Sequence, residues 1–193
     1  MSLVKFKAVA RHKAKIARDH AHQRISSVAS LEICGHINKF LRIKKNFKIV
    51  AVYMPIQTEI DIRPLIPVLR DLGKILCLPA IISDKEPLNF LVLTEESRLV
   101  RGKFGVLIPE TNSVVDPDLI LCPMLSFDSK GFRLGYGGGF YDRTIHCLGI
   151  KKPIFTLGCA YSEQIALGVL PVGKFDKPLN AVATENGITF FDI

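Results

Sequence analysis

The chain has 193 residues, 48% of them hydrophobic, and a formal net charge of +8. Its length and hydrophobic content favour one globular core, and its apolar runs stay short of the roughly 18 residues that a membrane span needs. The basic N-terminus also lacks the apolar segment and small-residue cleavage site of a secretory signal, so we expect a cytoplasmic protein that binds no membrane.

Positive charge is concentrated at the N-terminus. Residues 1–50 carry 12 Lys and Arg against 2 Asp and Glu. This asymmetry is typical of nucleic-acid binding, and equally of proteins that gather a nucleotide or another polyanionic ligand. Proteins that bind single strands interleave aromatic side chains with their cations. Residues 1–50 contain only Phe6, Phe40 and Phe47, so a basic nucleic-acid-binding protein is the weaker alternative.

The five cysteines are scattered along the chain, at Cys34, Cys77, Cys122, Cys147 and Cys159. Their number is odd and their spacing fits neither a zinc site nor a disulfide framework. We therefore expect buried free thiols in a reducing compartment.

The first third of the chain predicts two helices and a strand. Residues 3–22 are typical of a basic helix, and Ser26 and Ser27 are expected to cap a second helix that ends near Lys44. The segment Lys48–Met54 is apolar throughout and rich in β-branched residues, as in a buried parallel strand.

The remaining elements predict a strand–helix–strand unit followed by further strands. A helix from Pro64 to Leu72, stopped by Gly73, precedes the strand Lys74–Pro79, and this order predicts a parallel pair. Asn186-Gly187 indicates a hairpin. Together these elements predict the α/β class, with a three-layer, mostly parallel, Rossmann-like sheet, helices on both faces and a single domain over residues 1–193. The other strands are expected at Leu88–Leu93, Leu119–Cys122, Pro153–Ala160, 181–185 and 188–191.

The most informative stretch is Arg133–Arg143, which reads Arg-Leu-Gly-Tyr-Gly-Gly-Gly-Phe-Tyr-Asp-Arg. It follows a strand and precedes a short helix that Gly149 is expected to stop. Backbone N–H groups of such a loop can converge on an anion, and the helix adds its positive end. Arg133 and Arg143 flank the loop with charge suited to phosphate. Asp142 repels a phosphate unless a cation such as Mg²⁺ lies between them.

A glycine loop alone is a weak indication of phosphate binding, and this one matches neither the Walker pattern nor the dinucleotide fingerprint. The longer phrase from Phe127 to Arg143, however, closely resembles the signature of the 5-formyltetrahydrofolate cyclo-ligase family, also called methenyltetrahydrofolate synthetases. The resemblance implies an ATP- and Mg²⁺-dependent enzyme that converts 5-formyltetrahydrofolate to 5,10-methenyltetrahydrofolate, ADP and phosphate through a phosphorylated formyl group. It implies ATP and the folate, free or polyglutamylated, as partners of a monomer or weak homodimer.

For ATP and metal, the resemblance implies contacts from three segments. Lys7 and Arg11 match the family's N-terminal Lys-x-x-x-Arg, which touches the ATP phosphates. Asp142, together with Asp176 from a late Pro…Asp segment, matches the family's Mg²⁺ ligands. We expect Gly138 to have positive φ at the point of closest approach to the ligand. The other expected ATP contacts are Arg133, Leu134, Gly135, Tyr136, Gly137, Gly138, Gly139, Phe140 and Tyr141.

For the folate, the resemblance implies an apolar pocket with one carboxylate. Met54 and Tyr136 are expected to contact the substrate, and Glu59 is expected to orient it. Glu59 and Arg133, which binds phosphate oxygens, are the expected catalytic residues. Phe104 lies in a segment similar to the family's Phe-Gly-Ile-x-Glu-Pro loop and is a stacking candidate, with core packing as the alternative.

A second class of enzyme stays open from the residues themselves. Another α/β protein with a similar glycine loop, such as a sugar-phosphate isomerase or a CoA transferase, would act without consuming ATP.

Overall fold

The computed structural model of this protein describes residues 2–192. Its main element is a seven-stranded sheet. The sheet has the strand order β11-β10-β9-β6-β1-β2-β3, and β4 pairs with β5 and β7 with β8 in two small ribbons. The strands are β1 (Ile49–Ala51), β2 (Ile75–Ala80), β3 (Asn89–Leu93), β4 (Leu99–Arg101), β5 (Leu107–Pro109), β6 (Leu119–Pro123), β7 (Ser126–Phe127), β8 (Arg133–Leu134), β9 (Phe155–Cys159), β10 (Ala181–Thr184) and β11 (Gly187–Phe190).

The five central strands of the large sheet are parallel, and its two edge strands are antiparallel. The predicted parallel pair is β1 and β2, with Val50 opposite Leu76. The predicted hairpin joins β10 to β11 through Asn186-Gly187, where Gly187 has φ +135°. The mixed α/β class and the mostly parallel sheet are therefore confirmed.

One helix replaces the two that the sequence predicted at the N-terminus. α1 runs without interruption for 41 residues, from Leu3 to Ile43. Ser26 and Ser27 lie inside it, because serine lowers helix propensity only slightly and packing along the sheet outweighs that loss. α2 spans Leu65–Asp71, as expected, and two 3₁₀ turns cover Lys103–Gly105 and Ser162–Gln164.

The helix after the glycine loop is longer than predicted. α3 spans Phe140–Lys151, so Gly149 lies inside the helix and does not stop it. The loop also does not follow β6 directly, since the β7–β8 ribbon comes between them. The ribbon brings Arg133 to the start of the loop.

The core lies on both faces of the sheet. Side chains of α1 and α2 pack with Val50 and Leu121 on one face, whereas Leu148 of α3 packs with Ala51 and Ile120 on the other. Neighbouring residues of one strand thus enter opposite clusters. This explains why the central strands are apolar throughout rather than alternating.

Four of the five cysteines are buried, Cys147 is half-buried, and all five are free thiols. Burial raises the pKa of Cys77 and of Cys122 to about 12, so these thiols are inert. The prediction of buried free cysteines holds for all but Cys147. Separately, none of the helices between residues 2 and 192 has the length and apolar character required to cross a membrane.

Gly149 and Gly73 provide a matched test of the helix boundaries. A Cβ added at either position meets no heavy atom within 4 Å, so packing does not distinguish them. Gly73 has φ +68° after α2, whereas Gly149 is helical. We expect Gly149→Ala to raise the free energy of unfolding by about 0.5–1 kcal/mol and Gly73→Ala to lower it by about 1 kcal/mol. Urea denaturation measures both, and a destabilised Gly149→Ala protein would contradict the observed extent of α3.

Candidate active site

A cavity of about 550 Å³ opens at the carboxyl ends of the parallel strands. Tyr53 and Met54, which follow β1, line it together with Pro79 of β2 and Pro123 of β6. From β1 the chain moves to β2 on one side, and from β6 it moves to β9 on the other. Open α/β sheets bind their ligands at such a reversal of strand order.

All site residues predicted from the sequence except Arg143 line this one cavity, although their positions along the chain differ by up to 169 residues. Their proximity is a property of the fold, whereas the role of each stays a prediction. Arg143 lies elsewhere, because its guanidinium donates to the carbonyl groups of Asp84 and Glu86. The predicted residues that line the cavity are Lys7, Arg11, Met54, Glu59, Phe104, Arg133, Leu134, Gly135, Tyr136, Gly137, Gly138, Gly139, Phe140, Tyr141, Asp142 and Asp176.

Two glycines give the loop its shape, and Gly138 is not one of them. Gly137 has φ +104°, and Gly139, the N-cap of α3, has φ +66°. Gly138 lacks the expected positive φ, but a Cβ there would lie 2.6 Å from the ring of Phe140. The loop thus delivers the start of α3, with its unpaired N–H groups, to the cavity.

The first turns of α1 are fastened to the cavity wall by their two predicted cations. Arg11 Nε donates to the carbonyl of Gly135 at 2.9 Å, and a Cβ at Gly137 would lie 3.1 Å from the Arg11 guanidinium carbon. Lys7 Nζ lies 2.5 Å from Asp176 Oδ2, which also accepts from the N–H of Gly173. These contacts join the start of α1 to two distant loops.

Arg133 and Asp142 form a second ion pair in the wall. Arg133 is nearly buried, and its Nη2 donates to Asp142 Oδ1 at 2.9 Å. Its Nη1 donates to the carbonyl of Lys177, whose N–H donates in turn to Asp142 Oδ1. Each carboxylate predicted to bind metal therefore lies against a cation predicted to bind phosphate.

The two carboxylates fit a cation shared with a phosphate better than a preformed metal cage. Throughout the described part of the chain, no three His, Cys, Asp or Glu side chains are grouped so as to hold a metal. Within residues 2–192, Asp142 accepts hydrogen bonds only at Oδ1 and Asp176 only at Oδ2. The other carboxylate oxygen of each residue is free. Mg²⁺ commonly takes one or two carboxylates and completes its octahedron with phosphate oxygens and waters.

Glu59 is fixed in a tight turn after β1. Its Oε2 accepts from the N–H of Ile56, its own N–H donates to the carbonyl of Ile56, and Gln57 between them has φ +52°. Glu59 is 5% exposed. Burial raises the pKa of Glu59 to about 7, opposed by the Ile56 N–H, the charge of Arg18 and the Tyr136 hydroxyl. The turn thus presents a carboxyl group that titrates near neutrality.

Phe104 lies at the rim of the cavity and not in the core. It is 76% exposed and has φ +55°, so the core-packing alternative is wrong. Strained backbone of this kind collects at ligand sites, and Gln57 shows it on the same cavity. The rest of the apolar wall includes Val106, Leu107 and Ile108 of the same segment as Phe104, and Ile56, Ile81 and Leu88, which the sequence did not indicate.

A mostly parallel sheet, with a cation-lined cleft at the point where its strand order reverses, defines an α/β protein with a preformed ligand site. Comparison with known proteins gives the family. The sequence model of the 5-formyltetrahydrofolate cyclo-ligase family matches residues 4–185. The chain belongs to this family, as the glycine phrase indicated.

Individual relatives agree with that assignment. The 5-formyltetrahydrofolate cyclo-ligase of Escherichia coli strain K12 is 34% identical over 145 residues, which cover 72% of this chain and 79% of the relative. The 5,10-methenyltetrahydrofolate synthetase of Aquifex aeolicus superposes with a TM-score of 0.77 at 26% identity, covering 100% of this chain and 94% of that one. The synthetase of Mycoplasma pneumoniae shares the fold, with a TM-score of 0.75 at 23% identity and 93% and 98% coverage.

The pKa of Glu59 generates a stability test. The folded protein keeps this proton up to a pH of about 7, whereas the unfolded chain loses it near 4.5. The stabilising contribution is therefore complete below pH 4.5 and is lost as the pH rises through 7. Glu59→Gln has no such loss. Its free energy of unfolding relative to the unmodified protein should rise between pH 5 and pH 8 by at most about 3 kcal/mol. Urea titrations at several pH values measure this difference, and a flat difference would contradict the raised pKa.

Proposed function

We propose that this protein converts 5-formyltetrahydrofolate and ATP to 5,10-methenyltetrahydrofolate, ADP and phosphate. The observation that carries the proposal is the single cavity that joins the glycine phrase to four cations, three carboxylates and an apolar wall. Membership of the cyclo-ligase family supports the same reaction. A volume of about 550 Å³ is within the range of sites for ligands of this size.

The reaction requires neutralisation of phosphate charge and alignment of the two substrates, and it does not require a covalent nucleophile. The formyl oxygen attacks the γ-phosphorus of ATP, the bond to the β-phosphate oxygen breaks, and ADP leaves. N10 then attacks the activated formyl carbon and loses its proton, after which the C–O bond breaks and phosphate departs. Because the substrate carries the intermediate, fixed cations and alignment of the two substrates supply most of the rate.

The nucleotide side of the cavity is formed by α1, β8 and the glycine loop. Lys7, Arg11 and Arg133 bind phosphate oxygens, and the start of α3 contributes its positive end. Asp142 and Asp176 hold Mg²⁺, which neutralises phosphate charge when bound. The free oxygen on each carboxylate supports this assignment, since the paired oxygen keeps its adjacent cation in place.

The folate side is formed by the turn after β1 and by the rim. Met54 and the apolar wall contact the pterin ring system, whose pyrimidine half is flat, and Glu59 accepts hydrogen bonds from its N–H donors. Tyr136 and Phe104, both exposed and both on the cavity, cover the ring from outside. Stacking of aromatic side chains on a planar ligand adds orientation to the area that it buries.

The finer architecture belongs to the same proposal. We describe the fold as three-layered and Rossmann-like, supported by α1 and α2 on one face of the sheet and α3 on the other. A monomer or weak homodimer, the binding of folate in its free or polyglutamylated form, and the absence of nucleic-acid binding stay predictions.

The decisive experiment follows methenyltetrahydrofolate by its absorbance after protein, Mg²⁺, ATP and 5-formyltetrahydrofolate are mixed. The product should accumulate only when all four components are present, with stoichiometric ADP. Turnover without ATP would favour an isomerase or transferase, and no product in the complete mixture would refute the proposed function.

Asp142→Asn should raise the Mg²⁺ concentration needed for half-maximal rate.

Lys7→Ala and Arg11→Ala separate the enzyme from a nucleic-acid binder. Loss of one charge-assisted contact to phosphate should raise the KM for ATP by about tenfold or more, with a smaller change in the KM for folate. Lys13→Ala, at an exposed position of the same helix, is the control and should leave both constants unchanged.

The competing hypothesis gives the opposite pattern. If α1 served nucleic acid, the two variants would keep normal turnover, and the salt slope for binding a duplex oligonucleotide would fall by about one per lost contact. Titration of each variant with ATP and with the oligonucleotide decides between them.

A further inference from the structure

Arg18 is the one buried cation of α1 and lies behind the cavity wall. Its side chain is fully buried, and it follows Arg11 by seven residues, so the two lie on the same helix face. Its Nε donates to Thr58 Oγ1 at 3.1 Å, and the Thr58 hydroxyl donates to Asp19 Oδ1 at 2.5 Å. The guanidinium is thereby held against the turn that carries Glu59.

The two terminal nitrogens of Arg18 are buried and have no hydrogen-bond partner among residues 2–192. A buried cation without partners is costly, so a surrounding structure keeps one only if the charge is otherwise compensated. Two groups compensate it here. Glu59 Oε1 lies 3.9 Å from Nη1, and the Tyr136 ring lies over the guanidinium with its centroid at 5.4 Å. Both groups line the cavity, whereas Arg18 lies behind them.

The contact with Glu59 is electrostatic, because 3.9 Å is too long for a hydrogen bond. Glu59 Oε2 already accepts a hydrogen bond from the N–H of Ile56, so Oε1 is the oxygen that remains for a ligand. The pterin ring of a folate presents adjacent N–H and NH₂ donors, and an ionised carboxylate accepts more strongly from such donors than a protonated carboxyl group does.

We propose that Arg18 is a positioning residue that holds the Glu59 carboxylate as an anion, turned toward the cavity, for the N–H donors of the folate ring. The inference rests on the proposed function and adds to it a residue that touches no substrate. Arg18 acts through Glu59, and through Tyr136, whose ring it supports from below.

Arg18 is the only cation among the titratable groups that act on Glu59 in the described structure. Burial raises the pKa of Glu59, whereas the Ile56 N–H, the Arg18 charge and the Tyr136 hydroxyl lower it. Removal of that charge should raise the pKa further, by about one to three units, as is usual for a carboxyl beside an arginine. Six other titratable groups surround Glu59. Asp19 of α1 is near it through a hydrogen bond to the neighbouring Thr58. The other five are Arg18 of α1, Tyr53 after β1, Tyr136 of the glycine loop, Tyr141 of α3 and Cys159 of β9.

The test compares Arg18→Met, which removes the charge, with Arg18→Lys, which keeps it. The KM for 5-formyltetrahydrofolate, the KM for ATP and kcat are measured from pH 6 to pH 9.5, and folate binding is measured by calorimetry over the same range. Arg24→Met, at an exposed arginine of the same helix, is the control. Thr58→Val, which removes the acceptor of Arg18 Nε, is a second route to the same effect if Arg18→Met does not fold.

We expect Arg18→Met to raise the KM and dissociation constant for folate by about tenfold or more near pH 7.5. The effect should shrink toward pH 9.5, where Glu59 ionises without help, and the KM for ATP should stay within about twofold. Arg18→Lys and Arg24→Met should follow the pH profile of the unmodified protein. Thr58→Val should move the folate profile in the same direction as Arg18→Met.

Two results would overturn the inference. One is an unchanged folate pH profile in a folded Arg18→Met or Thr58→Val protein. The other is an equal rise in both KM values at every pH, which is the pattern of a merely structural role. An unmodified protein that neither binds 5-formyltetrahydrofolate nor turns it over would instead refute the proposed function, and the role of Arg18 with it.

Discussion

The hydrogen bond between Arg11 and the carbonyl of Gly135 is the contact on which the site depends. It fixes the first turns of a 41-residue helix against the loop that begins α3. Together with the ion pair between Lys7 and Asp176, it sets the position of Lys7 and Arg11 relative to Arg133. The positive φ of Gly137 serves this contact, since a side chain there would displace the Arg11 guanidinium.

Charge in the cavity wall is organised in pairs. Lys7 lies against Asp176, Arg133 against Asp142 and, behind the wall, Arg18 against Glu59. Arg11 differs, because it bonds to the Gly135 carbonyl. Paired charges of this kind cost less to bury than isolated ones. Pairing also fixes the orientation of both partners, and all of these side chains except Arg18 line the cavity. The same principle accounts for the buried Arg18.

Local patterns allowed much of the fold to be predicted. The parallel β1–β2 pair, the hairpin at Asn186-Gly187 and the strands of the central sheet follow from β-branched runs and turn residues. The failures occurred where tertiary packing overrides weak local signals. Serine at positions 26 and 27 did not divide α1, and Gly149 did not end α3. In both places the cost of a poor helix former is below about 1 kcal/mol, which packing readily exceeds.

The sequence by itself determined the family, the glycine loop and the residue types available for phosphate, metal and folate, because a long phrase of mixed composition rarely arises by chance. Only the tertiary structure decided which of those residues meet. It brought Lys7 and Asp176 together across the whole chain and turned Arg143 away. Arg18 was the most hidden: its position seven residues after Arg11, between the buried Ala14 and Ala21, was the one available signal. Burial and pairing of charge depend on contacts between distant segments, and a single sequence does not encode those contacts in any local pattern.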